Sequence, residues 1–353
     1  MPYPKLVVDT KKLAHNTRTL AERCAARGVA LAAVTKVYCA FPELARVQAE
    51  CGVAWLADSR VDNLAKLQNI PLPKILLRLP MISQAEDVVA LADLSFNSEI
   101  ATCKALAAAA RKQGKIHDVL LMVDLGDLRE GVWPDRAVET AGEILALEGV
   151  RLRGVGVNLT CYGGVLPSTE NMTRLVEVAE VIEARYGVAL DIVSGGNSSS
   201  LKLLASGGMP PRINHLRLGE SVVLGFETAE GTRIPGTMDD VFTFAAEIVE
   251  LQTKPSLPVG EIGRDAFGQV PVFEDRGWRR RAIVAAGRQD LRIDAMSPRD
   301  EKISILGASS DHMILDVTDS SRQWQVGDVV EFNLAYGALL AATTSAYVTK
   351  EFL

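Results

Sequence analysis

The chain has 353 residues, 48% hydrophobic and 23% charged, which suits a globular protein with one large core and a second domain. Its net charge of −6 argues against nucleic acid or an anionic membrane as the main partner, and the one basic run, Arg279-Arg280-Arg281, is too short to reverse that. No apolar stretch approaches the roughly 18 residues of a membrane span, and the N-terminus lacks a charged-then-apolar leader pattern. Cys24, Cys39, Cys51, Cys103 and Cys161 are odd in number and form no C-x-x-C pair, so no disulfide framework is expected and a reducing cytoplasm fits.

After an apolar run at Leu6-Val7-Val8, Asp9 or Thr10 is placed to cap a helix whose Leu13, Leu20 and Cys24 recur at helical spacing as far as Gly28. Residues 31–36 read as an apolar strand ending on Lys36, followed by a helix from Pro42 closed by Gly52. The alternation continues with strand 54–57 and helix 62–69, strand 74–79 and helix 84–91, and strand 94–97 and an alanine-rich helix 100–113. Strand 119–123 precedes helix 135–147, strand 155–158 precedes helix 168–186, and strand 190–193 runs into a Gly/Ser loop, a helix and a last strand at 216–218. These strands are apolar throughout rather than alternating, the pattern of parallel strands covered on both faces.

About eight such units predict an α/β fold, a (β/α)8 TIM-type barrel, with a doubly wound sheet as the alternative. A barrel places the polar clusters that follow the strands on one rim; an open sheet scatters several of them. From about Gly231 helical periods vanish, and short apolar runs at 245–251, 282–285, 303–306, 313–315 and 329–332 alternate with turn residues. The expectation is a barrel over 1–230, whose first strand is free to join the second domain, and a mostly antiparallel C-terminal β domain over 231–353.

Lys36 has two readings. A lysine at a strand end ordinarily reaches into water. At the C-terminal end of a barrel strand it stands instead in an active site, where apolar neighbours strip hydration from its charged form and favour an amine for Schiff-base chemistry. The loop Ser194-Gly195-Gly196-Asn197-Ser198-Ser199-Ser200 offers N–H groups and hydroxyls suited to phosphate, and reads equally as a capped turn. Arg129 by itself reads as a surface ion pair. Arg217 lies among apolar strand residues, where an unpaired guanidinium is costly, so it needs a buried acceptor: a structural carboxylate such as Glu220, or a ring nitrogen.

Together these segments resemble the alanine racemase fold family of pyridoxal 5'-phosphate (PLP) enzymes, in the same order and over nearly the whole chain. The resemblance implies that Lys36 is the Schiff-base lysine. Asp124-x-Gly126-x-x-Arg129-x-Gly131 resembles the family's D-T-G-M-x-R-x-G, which puts Arg129 near the cofactor's phenolic oxygen and the substrate. Ser194, Asn197 and Ser198 match the phosphate loop. Arg217-x-Gly219 matches the arginine facing the pyridine nitrogen, a contact that Glu220 could make instead. Leu306-Gly307-Ala308-Ser309-Ser310-Asp311 resembles G-R-x-x-M-D.

The departures matter as well. Met122 stands where a carbamylated lysine is common, and Asn158 at the place of a histidine beside the cofactor. Val37-Tyr38-Cys39-Ala40-Phe41-Pro42 replaces A-Y-G-H-G. The S-Y-G tyrosine is missing, and Gly260-Glu261-Ile262-Gly263-Arg264-Asp265-Ala266-Phe267-Gly268 stands at about that place. That segment and Arg217-Leu218-Gly219-Glu220-Ser221 look most like the ornithine racemase branch.

The resemblance therefore implies a PLP-dependent racemase, best matched to ornithine, that moves the Cα proton with two bases, Lys36 on one face and Asp265 on the other. Asp265 reads equally as a turn aspartate. Glu261, Asp265 and Asp311 are the acidic candidates for a distal ammonium; if Asp265 takes that part, Tyr336 becomes the candidate base. A homodimer with composite sites is implied, and no metal. The alternatives are a broad-specificity, alanine, lysine or serine racemase of the same fold, and, in another class, a non-catalytic PLP-binding homeostasis protein, which lacks the β domain. A D-amino-acid aldolase or dehydratase would carry a His/Cys metal pair in the second domain, and a basic-amino-acid decarboxylase a cysteine there, yet every cysteine precedes residue 162.

Overall fold

The computed structural model describes residues 2–265 and 267–353. The chain divides into two units, Thr10–Asp239 and a second made of the N-terminal residues through Asp9 together with Asp240–Leu353. It opens with β1 (Lys5–Val8) and α1 (Thr10–Ala25), on which Leu13, Thr17, Leu20 and Cys24 form a buried stripe at helical spacing.

In the larger unit, parallel strands close into an eight-stranded barrel in sequence order. They are β2 (Ala30–Val34), β3 (Trp55–Asp58), β4 (Lys74–Leu76), β5 (Leu94–Asn97), β6 (His117–Met122), β7 (Val150–Gly156), β8 (Ile192–Ser194) and β9 (His215–Leu218). Closure sets Ala30 of β2 opposite His215 of β9 and Ala33 opposite Leu218. Helices α2 (Pro42–Ala49), α3 (Val61–Lys66), α4 (Ala85–Leu91), α5 (Ile100–Lys112), α6 (Pro134–Leu145), α7 (Thr169–Tyr186), α8 (Leu201–Ser206) and α9 (Glu220–Leu224) alternate with them. Ala32, Val34, Ile75, Phe96, Leu120 and Met122 pack into the interior, so the barrel is filled rather than open.

Strand β4 is shorter than the expected 74–79: Leu77 still donates to Asp58 O at 2.8 Å, but the chain then meets Pro80, which has no N–H to continue a ladder. The units meet at Asp239–Asp240 rather than near 230, because the intervening segment folds back on α1. Asn16 Nδ2 donates to Met238 O and Met238 N donates to Asn16 Oδ1, both at 2.7 Å.

The second unit is a sheet of β10 (Phe242–Pro255), β11 (Trp278–Val284), β12 (Met296–Pro298), β13 (Ser304–Ala308), β14 (Met313–Asp316) and β15 (Val329–Leu334), ordered β12-β15-β10-β11-β14-β13 with antiparallel pairing. Strand β1 joins it antiparallel to β10 and parallel to β16 (Thr349–Phe352). Pro255, expected in a loop, closes β10 opposite Trp278. The basic run is absorbed locally on β11: Arg279 binds Asp316 and Asp319, Arg280 donates to Trp324 O, and Arg281 to Ser256 O. One helix was not expected here, α10 (Tyr336–Thr344). Its sequence, YGALLAATT, is apolar nearly all round and so leaves no amphipathic period to read. Among the described residues, no helix is long and apolar enough to cross a membrane.

Candidate active site

The barrel residues singled out from the sequence all lie at or beyond the C-terminal ends of strands. Four of them form one hydrogen-bonded group. Arg217, on β9, donates from Nη1 to Ser194 Oγ (2.6 Å) and from Nη2 to Val157 O (2.9 Å) and Asn158 Oδ1 (3.2 Å). Asn197 Nδ2 donates to the same Asn158 Oδ1 (2.9 Å) and to Leu159 O (2.9 Å), while its Oδ1 accepts from Ser199 N. Ser198 Oγ lies 2.9 Å from Ser221 Oγ. Arg217 is buried, with its guanidinium 5.0 Å from the Phe96 ring centroid, and burial lowers its pKa to about 10.

Of the two acceptors offered for Arg217, a structural carboxylate such as Glu220 or a ring nitrogen, no carboxylate bonds to it among the described residues. Its acceptors are neutral oxygens, which need no second desolvated charge. Glu220, half-buried at the start of α9, feels Lys36 instead: burial raises its carboxyl above the usual range, and the Lys36 charge opposes that rise.

Lys36 begins a short 3₁₀ turn (Lys36–Tyr38) just past β2. Its side chain is exposed, as the first of the two readings of a strand-end lysine has it, and not stripped of water as the second supposed. The reason is geometric: Thr35, Val37 and Tyr38 point inward, leaving Lys36 the outward position of the turn. The turn is anchored by Thr35 Oγ1 donating to Asp58 Oδ2 (2.6 Å) and Tyr38 OH donating to Gln48 Oε1 (2.5 Å).

Arg129, half-exposed after β6, binds Glu130 through Nε and Nη2, and that bond holds its pKa above the usual range. Asp127, which sequence reasoning passed over, is the organiser of this corner. It is 1% exposed and accepts four backbone N–H groups, from Thr160 (3.0 Å), Cys161 (3.1 Å), Tyr162 (3.0 Å) and Val165 (3.2 Å). Gly163 approaches so closely that a Cβ there would lie 2.7 Å from Asp127 O, and Gly131, at φ 127°, would drive a Cβ to 2.5 Å from Asp124 N. A polar residue after a strand was the available signal, but it does not say which N–H groups the side chain will meet.

Non-glycine residues with left-handed backbone, Cys39 and Ala40 after β2, Leu128 after β6 and Thr160 after β7, lie on this same rim. Each costs on the order of 1–3 kcal/mol, and such strain gathers at functional loops held by their surroundings.

The second-domain candidates belong to the other unit. Asp265 Oδ1 accepts from Phe267 N and Gln269 N, both at 2.9 Å, so it does cap a turn; Ala266 between them lies outside the described residues. Among the described residues Oδ2 makes no hydrogen bond. Glu261 is exposed, Asp311 is exposed with His312 Nδ1 at 3.1 Å, and Tyr336 begins α10 half-buried.

A sequence model described as the alanine racemase N-terminal domain matches residues 8–225, the barrel almost from end to end. The chain belongs to the alanine racemase family. Within that family, the ornithine racemase of Acetoanaerobium sticklandii is 48% identical over 352 residues, 99% of this chain and 100% of the relative. The lysine racemase of Thermotoga maritima is 38% identical over 354 aligned residues, 100% of this chain and 99% of that one. The alanine racemase of Bartonella henselae, solved with covalently bound pyridoxal phosphate, covers 100% of both chains at a TM-score of 0.75 and 16% identity, a likeness of fold. In this family member, the rim also carries buried polar atoms without partners among the described residues, Asn158 Nδ2 and Ser199 Oγ, and Arg217 has more N–H donors than its three bonds use.

Proposed function

We propose that this chain is a PLP-dependent racemase that interconverts L- and D-ornithine. The observation that carries this reading is the 48% identity, along the full length of both chains, to an ornithine racemase.

The residues present fit PLP. Buried polar atoms normally find partners, so the orphaned Asn158 Nδ2 and Ser199 Oγ and the spare Arg217 donors mark a place for a ligand rich in acceptors. In this reading Ser194, Asn197 and Ser198 shape the phosphate loop, and Arg217 faces the pyridine nitrogen. Arg129 lies towards the phenolic oxygen and the substrate, and Asn158 bridges the two ends.

When bound, PLP supplies the electron sink that acidifies the Cα–H of an attached amino acid. Lys36 Nζ would hold the cofactor and would carry the Cα proton on one face. Asp265 of a partner subunit carries it on the opposite face through the oxygen its turn leaves open, so the working form is a homodimer with composite sites. Arg217, a donor-only group, discourages protonation of the ring nitrogen and so favours return of the proton to Cα over transamination. Glu220 sits beside Lys36 and balances its charge. Glu261 and Asp311 are the acceptors proposed for the distal ammonium, with Tyr336 as a further substrate contact. Five free cysteines and the absence of any disulfide suit a reducing, cytoplasmic setting.

Lysine is the second reading, favoured by the 38% identity to a lysine racemase. One methylene separates the two substrates, and a pocket discriminates a methylene by only about 1–3 kcal/mol. The test is Cα proton exchange in heavy water with ornithine, lysine, alanine and serine. Exchange is expected to be fastest with ornithine; no exchange with any of them rejects racemisation.

A further inference from the structure

Beneath Arg217 the barrel holds a third buried group that the reaction outlined above does not use. Ser194 Oγ, which accepts from Arg217 Nη1 at 2.6 Å, lies 2.7 Å from His215 Nδ1. Arg217 and His215 both belong to β9, two residues apart and therefore on one face of the strand, and Ser194 ends the neighbouring β8. All three are buried.

The direction of the bonds follows from what each group can do. A guanidinium only donates, so Ser194 Oγ must accept from it. The hydroxyl proton then needs an acceptor, and among the described residues that is His215 Nδ1. The reverse arrangement, with Nδ1–H donating to Ser194, would strand the hydroxyl proton as well as Nε2, which has no partner in either case. The chain thus runs from guanidinium to hydroxyl to imidazole, with His215 neutral and protonated at Nε2.

We propose that His215 is a positioning residue for the cofactor's ring nitrogen: by accepting the Ser194 proton it keeps the Ser194 oxygen turned to Arg217 and holds the guanidinium in the orientation that offers its remaining donors to that nitrogen. This rests on the reading that Arg217 faces the pyridine nitrogen. Without the imidazole, the hydroxyl is free to turn its proton towards Arg217, which has nothing to accept it, and the guanidinium loses one of its fixed contacts.

The test uses the full chain loaded with PLP, in His215→Leu, His215→Asn and Arg217→Met forms. It reads two quantities, the absorption spectrum of the bound PLP and the keto acid released per Cα exchange with ornithine. His215→Leu is expected to shift the spectrum and to raise the keto-acid ratio about tenfold, about 1.4 kcal/mol between the competing barriers. His215→Asn, whose Oδ1 takes the place of Nδ1, restores both. If His215→Leu leaves both unchanged while Arg217→Met alters them, the His215 proposal is overturned and the Arg217 reading stands. If Arg217→Met leaves them unchanged as well, the Arg217 reading fails and takes the proposal with it. Where His215→Leu does not fold, the unsubstituted chain decides by ¹⁵N-histidine NMR, since it has only four histidines. A proton on Nε2 and none on Nδ1 of His215 is expected, and a proton on Nδ1 overturns the proposal.

Discussion

Asp127 accepts the Thr160 N–H at 3.0 Å while Thr160 sits in the left-handed region at φ 62°, so a buried carboxylate holds a strained residue in place. The same carboxylate takes the N–H groups of Cys161, Tyr162 and Val165, which makes the loops after β6 and β7 one body. Asp127→Ala would leave these donors buried without an acceptor and is expected to lower the unfolding free energy by about 3 kcal/mol, read from urea denaturation. Asp127→Asn, which keeps one acceptor oxygen, is expected to lose about half as much. An alanine variant within about 0.5 kcal/mol of the parent would show that other contacts hold the loop.

Lys36 is exposed on a turn anchored from behind by Thr35 and Tyr38. Borohydride reduction of the PLP-loaded chain is expected to fix the cofactor at Lys36, and Lys36→Ala to retain none after gel filtration. Peptide mapping that finds the adduct on another lysine would remove Lys36 from the mechanism.

Asp265 caps its turn with one oxygen, so the structural and chemical roles can be separated. An asparagine keeps the capping oxygen but cannot carry a proton. Asp265→Asn is expected to leave thermal stability unchanged and to slow Cα exchange of one enantiomer by about 10²–10⁴-fold, the usual contribution of a general acid or base. Retained exchange would leave Asp265 as a turn residue and direct attention to Tyr336.

Burial lowers the pKa of His117 to about 4 and that of His215 to about 3, against about 6.5 in an unfolded chain. Between those values the unfolded state binds more protons than the folded one, so stability rises with pH there. The contribution is complete above about pH 6.5 and is lost as pH falls towards the folded-state values. For the two histidines together, unfolding free energy is expected to drop by about 3 kcal/mol from pH 6.5 to 5, measured by urea titration at each pH. A profile that is flat over this range, or that His117→Asn leaves unaltered, would mean that these rings are not held neutral by burial.

Much of the architecture was legible because it is written locally. Continuous apolar runs such as 119–123, each followed by a helical period, announce parallel strands buried on both faces, and Lys36, Ser194 and Asn197 fall at strand ends where a barrel keeps its chemistry. Helix α10 escaped because an Ala/Leu-rich stretch carries no periodic contrast, and the segment before Asp240 escaped because its anchor, Asn16, lies more than two hundred residues away.

The sequence by itself determined which residue types stand at the rim and in what order, since helical and strand periods depend on near neighbours. It also required that Arg217, set among apolar residues, find acceptors. Which acceptors was a matter for the tertiary structure alone. A hydrogen bond needs its atoms within about 3 Å, and only closure of the barrel brings Ser194, Val157 and Asn158 that near to Arg217, from 23, 60 and 59 residues away. The same closure set His215 behind Ser194 and gathered four N–H groups around Asp127.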